Sequence, residues 1–496
     1  MSRKIQRLLI ANRGEIAVRI IRAARELGIV TIAIYSTVDR TSPHVRLANE
    51  AYNLGDPDPS ASYLNIEKIL NIAISKNVDA IHPGYGFLSE NPDFNEQVEK
   101  AGIIFIGPGL AAMKLMGDKI LAREVAFKAS IPLIPGSIKP VETVTEALKV
   151  ADKLGYPVLV KASAGGGGKG MRKVDSKESM KESFLRARSE AYSAFGNDSV
   201  YIEKFIEKPH HIEIQILADN FGNYIHLNER ECSIQRRHQK LIEESPSPLI
   251  TKEIRNKLAA SAIAIAKASN YSNAGTVEFI IDSNLNYYFL EMNTRLQVEH
   301  PVTEEITGID LVKQQIRIAE NKKLLLKQDS IHIKKHAIEL RIYAEDPEND
   351  FLPSTGILDV YRPPKGPGIR VDDGYEEGMS IPIQYDPMLA KLIVTGGTRE
   401  EAIIRMKYSI EEFIIMGVPN TLQFGHSVMN DSDFINGSYN TNYIQECSTK
   451  IDKQTSERTT RLAAAMASHL FMNKKENQII KDSKNNTFSQ WKKRRL

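Results

Sequence analysis

Between Glu291 and Glu304 the chain reads EMNTRLQVEHPVTE, and functional groups occupy alternate positions of its first nine residues. These groups are a carboxylate at each end, two amides and one guanidinium, contributed by Glu291, Asn293, Arg295, Gln297 and Glu299. On an extended backbone, alternate residues point to the same face. A strand built for stability alone alternates apolar with polar residues instead. The pattern therefore predicts one wall of a site that carries metal ligands, a fixed cation and a candidate base.

The length and composition are those of a globular protein with several cores. The chain has 496 residues, of which 42% are hydrophobic and 26% charged, which suggests about three domains. No apolar run approaches the roughly 18 residues of a membrane helix, and the first one stops at Ala11, too early for a secretory signal. Cys232 and Cys447 form no CxxC pattern. We predict a cytoplasmic protein with no membrane segment.

The charge is distributed unevenly along the chain. Residues 450–496 hold 12 Lys and Arg against 4 Asp and Glu, whereas residues 1–449 hold 53 against 58. A nucleic-acid enzyme more often has a basic body. We therefore do not expect a nucleic-acid partner, although RNA binding through the basic tail stays as an alternative.

The first part of the chain predicts an open, mainly parallel sheet. Residues 7–11 have the pattern of a buried strand, residues 14–27 that of a helix with Gly28 at its C-cap, and residues 29–35 that of the next strand. The alternation of strands and helices continues to residue 106. Roughly the first 115 residues thus form an α/β unit.

A small α+β unit is predicted in the middle of the chain. Asp118 is placed to cap a helix over residues 119–129. Residues 157–174 then give a strand, a glycine loop and a second strand. Residues 200–204 and 211–217 give two more strands, which we assign to the same unit.

The glycine loop, KASAGGGGKGM at 161–171, has the composition of a phosphate-binding loop. Glycines let backbone N–H groups approach phosphate oxygens, and lysines add positive charge. It is not a Walker A motif, because Gly170 stands where Ser or Thr follows the Lys. Residues 171–174 continue as a strand rather than a helix, which excludes a dinucleotide fold. We predict a hairpin loop that folds over phosphates as a lid; a mobile surface turn is the alternative.

Two carboxylates are predicted to face each other on a hairpin. Folding residues 276–281 against residues 287–292 brings Glu278 opposite Glu291, within roughly 5–8 Å. With Asn293, and without His or Cys, this set suits Mg²⁺ bound together with phosphates. Two solvated glutamates are the alternative, but the apolar neighbours in both strands indicate the border of a core.

A short basic segment at 229–244, ERECSIQRRHQKLIEE, offers a cluster of cations. They are Arg230, Arg236, Arg237, His238 and Lys240. An anion site needs such a cluster, and a solvated charged face has the same composition, so both interpretations stay open.

The segment from His336 to about Cys447 is strand-rich and then helical. Its first strand, HAIELRIYAED, alternates an apolar face with a face that carries Glu339 and Arg341. Arg341 either reaches a ligand or pairs with Glu339 at the surface, and the strand alone favours the surface pair.

Together these motifs resemble those of the biotin carboxylase component of biotin-dependent carboxylases. The resemblance runs from about residue 5 to residue 447 and includes ANRGEIAVRI, HPGYGFLSEN at 82–91, MGDK at 116–119 and YDPMLAKLI at 385–393. It implies an ATP-grasp fold, α/β and α+β, with a Rossmann-like N-terminal domain, a flexible glycine-loop lid and a mixed α+β C-terminal domain. The implied domains are residues 1–117, 118–330 with the lid at about 136–206, 331–448, and a basic tail at 449–496.

The resemblance also implies the site residues. ATP would be held by Lys119, Lys161, Gly167, Gly168, Glu203, Lys204, Ile206, His211, Gln235 and His238, and also through the metal ligands Glu278 and Glu291. Two Mg²⁺ or Mn²⁺ ions would be held by Glu278 and Glu291, with Asn293 nearby. Bicarbonate would be gripped by Lys240, Arg295, Gln297 and Val298, and Glu299 would take its proton. Arg341 would stabilise the biotin enolate, with Tyr85 beside the ureido ring.

The implied reaction is the ATP-dependent carboxylation of biotin. Bicarbonate attacks the γ-phosphate to give carboxyphosphate, which releases CO₂ and a phosphate that deprotonates biotin. The implied cofactors are ATP, Mg²⁺ or Mn²⁺, and biotin on a separate carrier protein. The partners would be that biotin carboxyl carrier protein, a second copy of this chain and a carboxyltransferase subunit.

Several alternatives remain at this point. The half-reaction would serve an acetyl-CoA or propionyl-CoA carboxylase, or else a two-subunit pyruvate carboxylase. Other ATP-grasp ligases share the carboxylate pair and the lid, but not QVEH after Asn-Thr-Arg. A catalytically dead scaffold would have lost groups that are present here. In the tail, residues 458–472 form a possible amphipathic helix for docking to another protein of the complex, and the favoured alternative is a disordered tail.

Overall fold

The computed structural model describes residues 3–137, 139–163 and 171–446. The chain divides into a unit of residues 1–444 and a second unit beyond it, and every element below belongs to the first. The predicted helix at 458–472 and the glycines at 167 and 168 lie outside the described residues. No helix of the described residues is long and apolar enough to cross a membrane.

Five parallel strands form the N-terminal sheet, in the order β3-β2-β1-β4-β5. They are β1 (Arg7–Ile10), β2 (Val30–Ser36), β3 (Glu50–Gly55), β4 (Ala80–His82) and β5 (Ile104–Phe105). The helices of this part are α1 (Gly14–Glu26), α2 (Pro43–Leu47), α3 (Ile66–Ser75), α4 (Pro92–Lys100) and α5 (Leu110–Gly117). Gly28 follows α1 with a φ of +72°, a conformation that glycine adopts without strain. The predicted parallel sheet is confirmed.

Next in the chain comes α6 (Lys119–Lys128), whose start is fixed by Asp118. The Asp118 carboxylate accepts from the backbone N–H groups of Ile120 and Leu121, as an N-cap does. A three-stranded sheet follows, in the order β7-β6-β8, with two helices on it. Its elements are α7 (Val144–Leu154), β6 (Val158–Ala162), β7 (Met171–Val174), α8 (Lys177–Phe195) and β8 (Val200–Lys204).

The largest sheet of the described residues is antiparallel and has eight strands, whose ranges follow, in the order β13-β12-β9-β10-β11-β14-β21-β19. Its first six strands along the chain are β9 (His210–Ala218), β10 (Tyr224–Arg236), β11 (Gln239–Ser245), β12 (Asn273–Ile281), β13 (Tyr287–Asn293) and β14 (His336–Tyr343). The helices between them are α9 (Lys252–Ala268), α10 (His300–Thr307) and α11 (Leu311–Ala319).

The remaining strands are short except for two that complete the large sheet. They are β15 (Glu345–Asp346), β16 (Leu352–Pro353), β17 (Gly356–Ile357), β18 (Val360–Arg362), β19 (Ile369–Asp373), β20 (Ser380–Ile381), β21 (Met388–Gly396) and β22 (Ile414–Met416). The last helices are α12 (Arg399–Glu412), α13 (Leu422–Asn430) and α14 (Ser432–Asn436). The predicted boundary after residue 330 therefore separates stretches of chain that share one sheet.

Two predictions of local structure are wrong. The strand near 211–217 does not belong to the glycine-loop unit, because β9 pairs with β10 and β12 in the large sheet. Eight of its nine residues are buried, so it needs cover and neighbours on all sides. The extended backbone predicted for 291–299 ends at Asn293, because the chain then turns into α10.

Candidate active site

The hairpin β12–β13 brings the two predicted metal-site carboxylates together. Glu278 and Glu291 are directly opposite in the register, and a bulge follows at Phe279. Asn293, the last residue of β13, donates from Nδ2 to Glu278 Oε1 at 2.8 Å. The facing arrangement predicted from the sequence is confirmed.

The three oxygen donors fit a hard cation. Glu278 is buried, whereas Glu291 is about one-third exposed and lies 3.7 Å from its ion-pair partner Lys119. Mg²⁺ that is bound together with phosphates is usually held by one or two carboxylates. The partly exposed Glu291, the buried Glu278 and the amide of Asn293 form such a set of ligands. Among the described residues, His211 and Glu213 also bring a ligand atom near Glu278.

Lys240 lies at the centre of the site and bridges three carboxylates. Its Nζ donates to Glu213 at 2.6 Å, Glu278 at 2.9 Å and Glu299 at 2.7 Å. Burial lowers the pKa of Lys240, but these carboxylates outweigh burial and raise the pKa well above its usual value. Lys240 is therefore a permanent cation inside the protein.

Arg295 reaches the same wall from the turn after β13. Its guanidinium donates to Glu90 Oε2 at 2.8 Å, to Gln297 Oε1 at 2.8 Å and to Asn293 Oδ1 at 3.2 Å. Gln297 in turn donates to Glu278 Oε1 at 3.1 Å. The alternate residues of the first motif thus meet through hydrogen bonds, although the backbone that carries them is no longer extended.

Arg341 does not form the surface pair that its strand favours. It is buried, and it donates from Nε to Glu243 at 2.7 Å and from a terminal nitrogen to Glu299 at 2.9 Å. The physical reason is the position of β14 between β11 and β21, which buries all eight of its residues. The predicted Glu339–Arg341 surface pair is wrong, and Arg341 faces the site.

The predicted nucleotide residues lie around Glu203 and His211. Lys161 Nζ is 2.7 Å from Glu203 Oε2, and Arg123 pairs with the other oxygen of this buried carboxylate. His211 Nε2 lies 2.9 Å from Glu278 Oε2, and Gln235 Nε2 lies 3.3 Å from His211 Nδ1. Burial lowers the pKa of His211, but Glu278 raises it above its usual value.

Three further predicted residues lie at turns or strand ends. Lys204 Nζ donates to the carbonyls of Gly155 and Tyr156, at 2.9 and 3.2 Å. Ile206 is half-buried just beyond β8, and His238 sits in the β10–β11 turn with a φ of +67°.

One cavity of about 720 Å³ joins most of these groups. The predicted site residues that line it are Tyr85, His238, Lys240, Glu278, Glu291, Asn293, Arg295, Gln297, Val298 and Arg341. The Tyr85 hydroxyl donates to Glu15, which places the ring at the same wall. Lys391 fixes the Val298 carbonyl with a hydrogen bond of 2.8 Å.

Sequence reasoning missed four acids that hold the cations and the tyrosine of this site. They are Glu15, Glu90, Glu213 and Glu243. Glu213 contacts both Lys240 and Arg230, and Arg230 is among the largest fully buried side chains. A signal existed, because HHIEIQIL alternates His211, Glu213 and Gln215 with isoleucines. That is the same pattern as in the 291–299 segment.

Family models match three consecutive segments of the chain. "Biotin carboxylase, N-terminal domain" matches residues 4–113, "Carbamoyl-phosphate synthase L chain, ATP binding domain" residues 118–327, and "Biotin carboxylase C-terminal domain" residues 339–446.

Relatives and solved structures match over nearly the same span. The biotin carboxylase of Nostoc sp. is 53% identical over 443 residues, which cover 89% of this chain and 99% of that protein. A pyruvate carboxylase subunit of Methanothermobacter thermautotrophicus is 51% identical over 90% of this chain and 91% of its own length. The crystal structure of the biotin carboxylase domain dimer of Hydrogenobacter thermophilus 2-oxoglutarate carboxylase, with MgADP, ADP and bicarbonate, has a TM-score of 0.88 and 47% identity. That match covers 90% of this chain and 99% of the solved one.

The fold and the site define an ATP-grasp ligase. The chain belongs to the biotin carboxylase family. Its reaction is the ATP- and Mg²⁺-dependent carboxylation, with bicarbonate, of biotin held on a carrier protein. The alternatives of another ATP-grasp ligase and of a dead scaffold are thereby set aside.

Proposed function

We propose that the cavity around Lys240 binds the three reactants side by side, with the metal and phosphates at the β12–β13 hairpin and biotin near β14. The observation that supports this most directly is the chain of contacts from Glu278 through Lys240 and Glu299 to Arg341. Reactants that are held side by side react faster, because the translational freedom lost in bringing them together is already lost on binding.

At the nucleotide end, Glu278 and Glu291 would hold two Mg²⁺ or Mn²⁺ ions, with Asn293 completing the donor set. The metal, when bound, neutralises phosphate charge during phosphoryl transfer. The chain's own cations, at Lys119 and Lys161, add to that neutralisation. The remaining nucleotide contacts come from Gly167, Gly168, Glu203, Lys204, Ile206, His211, Gln235 and His238.

Bicarbonate binds between Lys240 and Arg295, with Gln297 and Val298 closing its pocket. Glu299 takes the bicarbonate proton. Burial raises the pKa of Glu299, but Lys240 and Arg341 outweigh burial and lower it well below its usual value, so Glu299 is ionised as a base must be. An anionic substrate that draws Lys240 away from Glu299 raises the basicity of Glu299 at the moment it is needed.

At the biotin end, Arg341 stabilises the enolate and Tyr85 lies beside the ureido ring. Arginine suits this task because it stays charged and offers fixed donors. The test is Arg341→Ala. Free-biotin carboxylation should fall much further than bicarbonate-dependent ATP cleavage, both measured with the same protein. An equal loss of the two activities would contradict the assigned role.

The protein works with a separate biotin carrier and a carboxyltransferase. We propose that it forms a homodimer in the cytoplasm and serves an acyl-CoA carboxylase. A two-subunit pyruvate carboxylase is the second candidate, favoured by the 51% identity to the pyruvate carboxylase subunit of Methanothermobacter thermautotrophicus. Native mass spectrometry of the purified complex tests the homodimer. An assay of the transferase in that complex tests which carboxylase the protein serves. A transferase that turns over pyruvate, and not acetyl-CoA or propionyl-CoA, would reject the first candidate.

A further inference from the structure

Behind Arg341 two buried glutamates face each other across neighbouring strands. Glu243 on β11 and Glu339 on β14 are directly opposite in the antiparallel register, and each is fully buried at 0% exposure. Directly opposite residues have Cβ atoms about 4.5–5.5 Å apart. Glu243 holds the guanidinium of Arg341, whereas Glu339 has no role in the reaction as described above.

The two carboxyl groups differ in their partners. Glu243 Oε1 accepts from Arg341 Nε at 2.7 Å. By contrast, Glu243 Oε2 and both oxygens of Glu339 have no hydrogen-bond partner among the described residues. One of the two carboxyls is thus held by a cation, and the other is fully buried without such a partner.

Other charged groups face Glu339 from each neighbouring element, but their contacts lie elsewhere. On β21, Lys391 Nζ is 2.9 Å from Glu15 and donates to the Val298 carbonyl at 2.8 Å. At the start of α10, Glu299 is held by Lys240 and Arg341. His300, the next residue, is kept neutral by burial, which lowers its pKa well below the usual value.

Two carboxylates this close in a low-dielectric interior do not both ionise. Burial raises the pKa of Glu243 to about 7, against the opposing charge of Arg341. It raises the pKa of Glu339 well above its usual value, although the charges of Lys391 and Arg341 lower it. Because Arg341 binds only Glu243 of the two, the shared proton belongs on Glu339. A neutral carboxyl has an O–H donor, and Oε2 of Glu243, on the directly opposite residue, is an acceptor with no partner among the described residues.

We propose that Glu339 is a positioning residue: as a neutral carboxylic acid it donates a hydrogen bond to Glu243, which in turn fixes the guanidinium of Arg341 for biotin. The proposal rests on the biotin role of Arg341 proposed above. It assigns Glu339 an effect on the biotin half of the reaction and none on ATP cleavage.

Two substitutions at one position separate this role from simple packing. Glu339→Gln keeps a neutral donor of the same shape, and Glu339→Leu keeps the size but removes the donor. At neutral pH we expect the glutamine variant to carboxylate free biotin like the wild type. We expect the leucine variant to lose about three- to tenfold in kcat/KM for biotin, the value of one neutral hydrogen bond, with bicarbonate-dependent ATP cleavage unchanged. Equal activity of the two variants, or equal loss of both reactions, would overturn the proposal.

The pH profile and the proton itself give two further readouts. The biotin-dependent rate of the wild type should fall at alkaline pH as Glu339 loses its proton, and this fall should be weaker in Glu339→Gln. Infrared spectra should show a protonated carboxyl in the wild type at neutral pH that Glu339→Gln lacks. If the wild-type minus Glu339→Gln difference spectrum shows no such band, the proton is not on Glu339. If Arg341→Ala spares biotin carboxylation while the band behaves as expected, the role of Arg341 fails and the protonation of Glu339 stands.

Discussion

Replacing Glu213 by glutamine tests whether the buried cations of the site depend on this one carboxylate. Glu213 is fully buried between Arg230 and Lys240. The change removes one negative charge and leaves the shape intact. It also turns an amide N–H₂ group toward one of the two cations. Because both cations are hydrogen-bond donors, neither can accept a hydrogen bond from that group.

The loss of stability expected from Glu213→Gln follows from the contacts that Lys240 and Arg230 keep. Lys240 keeps Glu278 and Glu299, so its charge stays compensated. Among the described residues, the hydrogen bonds that Arg230 keeps are those to the neutral acceptors of Gln215, Thr303 and Thr276. Removing one partner of a buried ion pair costs about 3–5 kcal/mol of stability. Because Lys240 and Arg230 keep other contacts, we expect Glu213→Gln to cost about 3 kcal/mol. With an unfolding entropy of about 2.1 cal/mol/K per residue over this unit, the melting temperature should fall by about 3 °C.

The assay is thermal unfolding followed by circular dichroism, together with bicarbonate-dependent ATP cleavage, which should show a higher KM for bicarbonate. Glu190→Gln is the matched control, because both side chains of the Arg172–Glu190 pair are 41% exposed. Such a pair contributes at most about 1 kcal/mol, so the control should melt within about 1 °C of the wild type. A Glu213→Gln protein that melts with the control would refute the reasoning.

Three further outcomes are expected. Glu291→Gln should raise the Mg²⁺ concentration needed for half-maximal ATP cleavage, and an unchanged requirement would remove Glu291 from the metal site. Asp118→Ala should destabilise α6 by about 1 kcal/mol through loss of its N-cap, measured as local hydrogen exchange of the first helical amides. Burial raises the pKa of Glu244, but hydrogen bonds from His336 and Arg399 lower it to about 2. The stability Glu244 contributes, about 3 kcal/mol, is therefore present above its ordinary pKa and lost as the pH falls from about 5 toward 2. The melting-temperature gap between Glu244→Gln and the wild type should shrink over that range.

Features that depend on near neighbours in the chain were predictable. Asp118 caps its helix two and three residues on, and the β12–β13 turn sets the register that pairs Glu278 with Glu291. The parallel N-terminal sheet follows from the alternation of short apolar strands with amphipathic helices.

Features that depend on distant neighbours were not predictable. The burial of Arg341 requires β21, which lies some fifty residues further along the chain, to cover one side of β14. The roles of Glu213 and Glu243 depend on contacts with residues of other strands. Glu213 on β9 contacts Lys240 on β11, and Glu243 on β11 contacts Arg341 on β14. Sequence patterns show that a strand has a polar face, but they do not show whether that face meets water or a second layer of protein.

The continuity of the large sheet limits how this protein can be divided. β11 hydrogen-bonds with β14 along four residue pairs, although residue 330 lies between them in the chain. A fragment that stopped at 330 would leave the backbone of β11 unpaired on one side, and an unpaired strand edge is a template for aggregation. The residues proposed for the nucleotide and those proposed for biotin thus depend on one continuous sheet, because removing either part of the chain would leave unpaired strands in the other.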